Sequence, residues 1–309
     1  MITVVIPTIG RPTLRATLAA LDPGLDVIVV DDRPGDVPDD LVDSLPSLKV
    51  IRSGGRGPAA ARNAGWRAAR TPWVAFLDDD VVPAPGWTPA LRADLDGLPE
   101  HVAGSQGRLE VPLPPGRRPT DAERGTAGLA DARWITADMA YRRSALEGVG
   151  GFDERFPRAY REDVDLALRL LRSGFTLARG SRTSVHPVRD DGFWASVRAQ
   201  RGNADDALMR RVHGPGWRTA VGASRGRLAR HLLITACGAG AAVALATGRR
   251  KAGTALAAGW AALTAEFAWA RIAPGPRTRE EVLRMAVTSL VIPPAACAYR
   301  LLGEIRRRR

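Results

Sequence analysis

Short β-branched runs and helical stretches alternate along the first hundred residues of the chain. Residues 2–6 form an apolar run closed by Pro7, and residues 27–30, 48–51 and 73–77 repeat the pattern. Between them, residues 11–21 read as a helix with Pro12 in its first turn. Residues 58–70 read as an Ala- and Arg-rich helix behind the loop Gly54-Gly55-Arg56-Gly57. Continuously apolar strands separated by helices predict a mainly parallel, doubly wound α/β sheet with helices on both faces. In such sheets ligands bind beyond the carboxyl ends of the strands. Two acidic clusters, Asp31-Asp32 and Asp78-Asp79-Asp80, fall at those ends.

From about 100 to 220 the pattern loosens. Residues 102–111 and 134–141 read as strands, 112–119 as a Pro/Arg loop and 148–151 as a turn. Residues 163–172 read as a helix with Val164, Ala167, Leu168 and Leu171 on one face, stopped by Gly174. Residues 175–178 and 183–186 are two further short strand candidates. Beyond 220 the chain becomes apolar, Ala- and Gly-rich and helical. Its three stretches are 231–247, 252–270 and 285–302, the last interrupted by Pro293-Pro294. The expected organisation is a domain over 1–220 and a basic helical tail over 221–309.

Charge sharpens that division. The chain carries a net +12, of which residues 221–309 hold +11, and its only lysines are Lys49 and Lys251. Arginine keeps its charge and suits phosphate and carboxylate partners, although heavy arginine use also arises from coding bias. A basic tail on a near-neutral domain points to an anionic surface, nucleic acid or the cytoplasmic face of a membrane. The first apolar stretch is 17 residues, at the short limit for a span, and the second contains Glu266. A buried hairpin is the plain alternative. Membrane association, integral by a hairpin or peripheral, is the preferred reading, and no nucleic-acid partner is expected. The terminal Arg306 to Arg309 should stay cytoplasmic, which favours an even number of spans with one stretch in the interface. Cys237 and Cys297 have neither metal-ligand spacing nor a disulfide framework, which fits a reducing compartment. The start of the chain reads as a strand and not as a secretory leader.

The candidate chemistry is acidic. Three adjacent carboxylates repel unless a cation or donors hold them, and oxygen ligands at a strand end suit Mg²⁺ or Mn²⁺. The alternative is a solvated turn. Asp31-Asp32 could accept hydrogen bonds from a ribose or base, or simply form a turn. Arg62, in a helix that opens on small residues, could face a diphosphate. Glu162-Asp163 begins a helix, where acids favour the dipole but can also supply a general base. His186 could complete a metal site begun by aspartates or be structural.

Together these segments resemble the family 2 glycosyltransferases of the GT-A fold. The resemblance rests on Val4-Val5-Ile6-Pro7-Thr8, Val29-Val30-Asp31-Asp32, Gly57 to Gly65 with its Ala-Arg-Asn, and Phe76-Leu77-Asp78-Asp79-Asp80. It continues in Gly150-Gly151-Phe152-Asp153-Glu154-Arg155-Phe156 and Glu162-Asp163-Val164-Asp165-Leu166. It covers roughly residues 1–215. It implies a nucleotide-sugar donor held by Pro7, Thr8, Asp31, Asp32, Arg62, Asp78 and Asp79. It implies a divalent metal, Mn²⁺ or Mg²⁺, at Asp80 with His186, and catalysis by Asp163 as base with Glu162 beside it contacting the acceptor. It implies inverting transfer, and the membrane-seeking tail suggests a glycan or lipid-linked acceptor, in cell-envelope or glycan biosynthesis. Gln200-Arg201-Gly202 is only a fragment of the motif of processive members, so single-sugar transfer is expected. The rivals are a sugar-nucleotide nucleotidyltransferase, whose Gly- and Arg-rich first loop is missing here, and a non-catalytic membrane-binding module.

Overall fold

The strands β1 (Ile2–Thr8), β2 (Asp26–Asp31), β3 (Lys49–Arg52) and β4 (Trp73–Leu77) pair in parallel, in the order β3-β2-β1-β4. The short β5 (Val82–Pro83), β6 (Val102–Glu110), β7 (Asp138–Arg142) and β8 (Thr176–Val185) extend the sheet to eight strands. Beyond β4 the order is β7-β6-β8-β5; β7 runs antiparallel to β4 and β6, and β6 parallel to β8. The computed structural model describes residues 1–35, 45, 48–224 and 226–305. The sequence expectation for Arg306 to Arg309 lies outside the described residues.

Alternation along the strands divides the core between the two sheet faces. Val5, Ile28, Val30, Val74 and Phe76 pack with Ala59, Ala61 and Trp66 of helix Pro58–Ala68 and with Leu166 and Leu170 of helix Glu162–Arg172. Val4, Ile6, Val27, Val29, Ala75 and Leu77 pack with Leu14 and with Trp87, Leu91 and Leu95 of helix Trp87–Leu95. Helix Pro58–Ala68 lies close on the sheet because Gly65 faces it. A Cβ there would stand 2.2 Å from Val5 Cγ1, closer than any real contact.

The chain divides into two compact units, residues 1–112 with 127–187, and residues 113–126 with 188–309. The break falls at 187/188 and not at the expected 220, and residues 113–126 join the helical unit. That unit contains the long helices Leu228–Ala246, Arg250–Ile272 and Arg279–Ile305. Two of them, Leu228–Ala246 and Arg279–Ile305, are long and apolar enough to cross a membrane, with mean hydropathy of 1.6 and 1.4 over their best windows.

Four local expectations change. The first helix is only Leu14–Ala19. The strand expected at 134–141 starts at Asp138, because Trp134 sits at φ 65°, incompatible with an extended chain. The strands expected at 175–178 and 183–186 are one strand, Thr176–Val185, whose polar middle the hydrophobic pattern hides. Pro293-Pro294 does not interrupt the last helix. Pro293, Ile292 and Ala296 are buried there, and packing offsets the missing helical hydrogen bonds.

Candidate active site

The carboxyl ends of β1, β2 and β4 place Thr8, Asp31-Asp32 and Asp78-Asp79-Asp80 along one edge of the sheet. Thr8 is buried, and its hydroxyl donates to Asp79 Oδ2 at 2.6 Å while accepting the Gly10 N–H. Arg11 donates to Asp79 Oδ1 at 2.7 Å and lies 3.9 Å from Asp80. Asp79 is therefore an internal tie between two loops. Pro7, partly buried, ends the run that sets Thr8.

Asp31 is clasped by Arg33, at 2.9 and 3.1 Å from Nε and 2.8 Å from Nη2. Burial works against its charge, but the Arg33 hydrogen bonds together with the charges of Arg33 and Arg52 outweigh it and hold the carboxyl below the usual range. Asp32 accepts from Ser53 Oγ at 2.7 Å and from the backbone N–H groups of Arg56 and Gly57 at 3.0 and 2.9 Å. It fixes the loop before helix Pro58–Ala68. The acidic pair thus shapes the end of the sheet through the loops it binds.

Arg62 departs most from expectation. Its guanidinium is buried and does not project toward an open diphosphate site. Nη2 donates to Asp78 and Nη1 to Glu162, each at 2.7 Å. The ring of Phe152 lies 5.7 Å from Arg62 Cζ. One cation therefore joins the end of β4 to the start of helix Glu162–Arg172. Asp78 is half-buried, whereas Glu162 is 2% exposed. Desolvation, then the neighbouring Asp163, push the Glu162 carboxyl up to about 8, against the pull of Arg62. Desolvation also raises Asp163, opposed by the Val164 N–H, Arg62 and Arg161. Asp163 remains half-buried, so of the two it is the carboxylate a substrate can reach. Arg161, just before this helix, holds a left-handed backbone at φ 80°. That conformation is costly for a side-chain-bearing residue and turns the chain sharply into the acidic pair.

At the other end of the triplet, Asp80 is buried and its Oδ1 lies 4.0 Å from His186 Nε2. His186 Nδ1 lies 3.1 Å from the Pro187 carbonyl, so a proton held there leaves Nε2 with its lone pair toward Asp80. A carboxylate and an imidazole so disposed fit Mn²⁺ or Mg²⁺, with the remaining positions left for phosphate oxygens and water. Among the described residues no three His, Cys, Asp or Glu side chains gather into a self-sufficient metal cluster.

Three features escaped the sequence reading. Asn63 donates to the Phe152 carbonyl and to Glu154 and accepts from Phe152 N–H and Trp66 Nε1, pinning the loop after Gly151 to helix Pro58–Ala68. Arg11 had no motif around it. Asp138, at the start of β7 beside Leu77, accepts from Arg182 Nε, Trp87 Nε1 and Ser184 Oγ at 2.6–2.7 Å. A single buried acid leaves no periodic trace in a sequence.

Residues 3–150 match the family described as Glycosyl transferase family 2. The chain carries a family 2 glycosyltransferase domain. The glycosyltransferase domain is similar to the pre-mycofactocin glycosyltransferase of Mycobacterium tuberculosis, with 35% identity over 199 residues, or 57% of this chain. It also resembles the succinoglycan biosynthesis protein ExoO of Rhizobium meliloti, 40% identical over 70 residues, 22% of this chain and 20% of that protein. The chain spans 40% of the length of the mycobacterial relative. In structure it resembles the mannosyltransferase PcManGT from Pyrobaculum calidifontis, solved with GDP-mannose and Mn²⁺. The TM-score is 0.59 at 21% identity, covering 97% of this chain and 86% of that one. The sheet is thus of the GT-A kind, and the likeness in fold extends to the C-terminal helices.

Proposed function

We propose that the chain is an inverting glycosyltransferase that moves one sugar from a nucleoside-diphosphate sugar to an acceptor hydroxyl, with a divalent cation. The observation that carries this reading is the buried bridge Asp78–Arg62–Glu162, which fixes the strand-end acids relative to the pair Glu162-Asp163. Asp78 contacts the donor sugar or ribose, and the loops set by Thr8, Asp31 and Asp32 form the nucleotide pocket. Asp80 and His186 are the residues that would hold the metal. When bound, the metal neutralises charge on the departing diphosphate. Asp163 accepts the proton of the acceptor hydroxyl as that oxygen bonds to the anomeric carbon. The bond from that carbon to the diphosphate oxygen breaks on the opposite face, and the electron pair leaves with the nucleoside diphosphate. The raised carboxyl of Asp163 suits a base working near neutral pH. Glu162, fully buried against Arg62, positions the helix start.

The acceptor we propose is a glycan or lipid-linked saccharide of the cell envelope, met at the cytoplasmic face of the membrane. The two helices of spanning length and the arginine-rich tail support that placement. GDP-mannose and Mn²⁺, bound in the structure of PcManGT, make GDP-sugars with Mn²⁺ the first donors to try.

A thermal-shift screen of UDP-, GDP- and dTDP-sugars with Mn²⁺ should reveal one stabilising donor. Asp163→Asn should keep that shift and lower turnover by about 10²- to 10⁴-fold. Normal turnover in the variant would remove Asp163 as base. Pyrophosphate release from a nucleoside triphosphate would instead identify a nucleotidyltransferase.

A further inference from the structure

The helical unit contains a cavity of about 690 Å³, a size typical of small-ligand sites. Arg124, Arg189, Arg227, Arg271 and Arg284 line it, against the two acids Asp121 and Asp191. Asp121 is already engaged, by Arg271 at 2.8 Å and Arg124 at 3.2 Å. The lining therefore carries excess positive charge. Its apolar part includes Phe267, Met285 and Ile292.

His231 also lines the cavity. It is buried, with its ring edge-on to Phe267 at 5.1 Å, and its Nδ1 has no hydrogen-bond partner among the described residues. Arg284 Nε is likewise buried without a hydrogen-bond partner among the described residues. An unmet polar group of this kind is costly, and a ligand oxygen would satisfy it. Leu232 and Leu233, next in sequence to His231, are exposed, as are Leu290 and Val291 beside Ile292. Arginine forks with an imidazole suit a phosphate, and the exposed leucines elsewhere on the same two helices suit a hydrocarbon chain.

We propose that this cavity binds the phosphate head group of an acidic membrane lipid. The phosphate sits among the arginines and His231, and the chains lie along the exposed leucines of Leu228–Ala246 and Arg279–Ile305. No residue of the donor site takes part, so the proposal stands apart from the transferase reading.

The test is flotation of the full chain with phosphatidylcholine vesicles, with and without phosphatidic acid. Arg227→Gln with Arg284→Gln should weaken retention on phosphatidic acid by about tenfold or more, as loss of charged hydrogen bonds does. Arg249→Gln with Arg250→Gln removes the same charge from an exposed turn and should change it little. Equal losses in the two pairs, or equal retention on both vesicles, would overturn the proposal. Should the cavity variant fail to fold, the unmodified chain decides. Its melting temperature should rise with dihexanoyl phosphatidic acid, and not with dihexanoyl phosphatidylcholine. A rise with inorganic phosphate as large as with the short lipid would assign the cavity to a soluble phosphate and overturn the lipid. The nucleotide-sugar shift, measured alongside, reports separately on the donor site.

Discussion

The edge of the sheet and the cavity of the helical unit both hold a buried arginine, Arg62 in one and Arg271 in the other. At the sheet edge, Arg62 stands between Asp78 and Glu162, with Asp163 beside them. In the helical unit, Arg271 donates to Thr288, Ser289 and Ser196 at 2.8–3.0 Å, and among the described residues Asp121 alone answers its charge. The first surroundings hold more negative charge than their arginine cancels, and the second hold more positive charge than their acids cancel. Uncompensated charge away from water is expensive, so each site is arranged for a ligand of opposite sign. The sheet edge suits a cation with its diphosphate, and the helical cavity suits an anion. The same side chain is a structural tie in one place and part of a binding surface in the other, according to what faces it.

Removing Arg62 should give the largest effect on stability. Arg62→Met would leave Glu162 buried beside Asp163 without its cation and should cost about 3–5 kcal/mol, read as a fall in melting temperature. Arg62→Lys should recover little, because one ammonium cannot span Asp78 and Glu162 as the two guanidinium nitrogens do. A mild effect would mean that the bridge does not hold the two elements together.

Next is the metal end. Asp80→Asn and His186→Ala should each weaken Mn²⁺-dependent donor binding by about 10- to 100-fold, the range seen when groups supporting a metal site are lost. Titrating Mn²⁺ at fixed donor measures this. An unchanged Mn²⁺ requirement in both variants would place the metal elsewhere.

The acidic pair predicts a pH response. Glu162 rises from 4.5 to about 8 on folding. Between those values the native state keeps a proton that the unfolded chain has lost, so stability falls as pH rises through that window. One proton limits the slope to about 1.4 kcal/mol per pH unit. Turnover runs the other way and rises with pH as the pair loses protons and Asp163 becomes a base. Glu162→Gln should flatten the stability profile and leave the acid limb of turnover in place, because Glu162 is still protonated where Asp163 titrates. Matched melting and rate profiles check both, and a shifted acid limb would mean that Glu162 itself sets the titration seen in turnover.

Much of the sheet edge was legible in the chain. The apolar runs before Asp31 and Asp78 could be little but buried parallel strands, and acids at their ends had to lie at the ligand-binding edge. What those acids bind was not legible. Arg62 reads equally as a phosphate ligand or an internal tie, and only the position of Glu162, 100 residues away, decides between them. The middle of β8 was missed because Arg182 is polar and yet buried, held by Asp138 and Asp94. In the helical unit the excess charge was plain from composition, but charge counts carry no coordinates. The cavity gathers arginines from residue 124 to residue 284, a span that no local motif encodes.

The smallest effect should come from Arg271→Met. The hydroxyl of Thr288 already donates to the Arg284 carbonyl at 2.6 Å and needs no cation. Ser289 can turn to a carbonyl of its own helix in the same way. Asp121 is partly exposed and keeps Arg124. The methionine occupies the apolar space beside Phe267. A loss of about 1–2 kcal/mol is expected, the scale of a few hydrogen bonds whose partners are not stranded. The contrast with Arg62→Met is the decisive quantity, measured as two melting temperatures in one buffer. If Arg271→Met is as damaging as Arg62→Met, then Arg271 is as indispensable to the helical unit as Arg62 is to the sheet edge. The cavity would then be a packing feature whose arginines are not available for an anion.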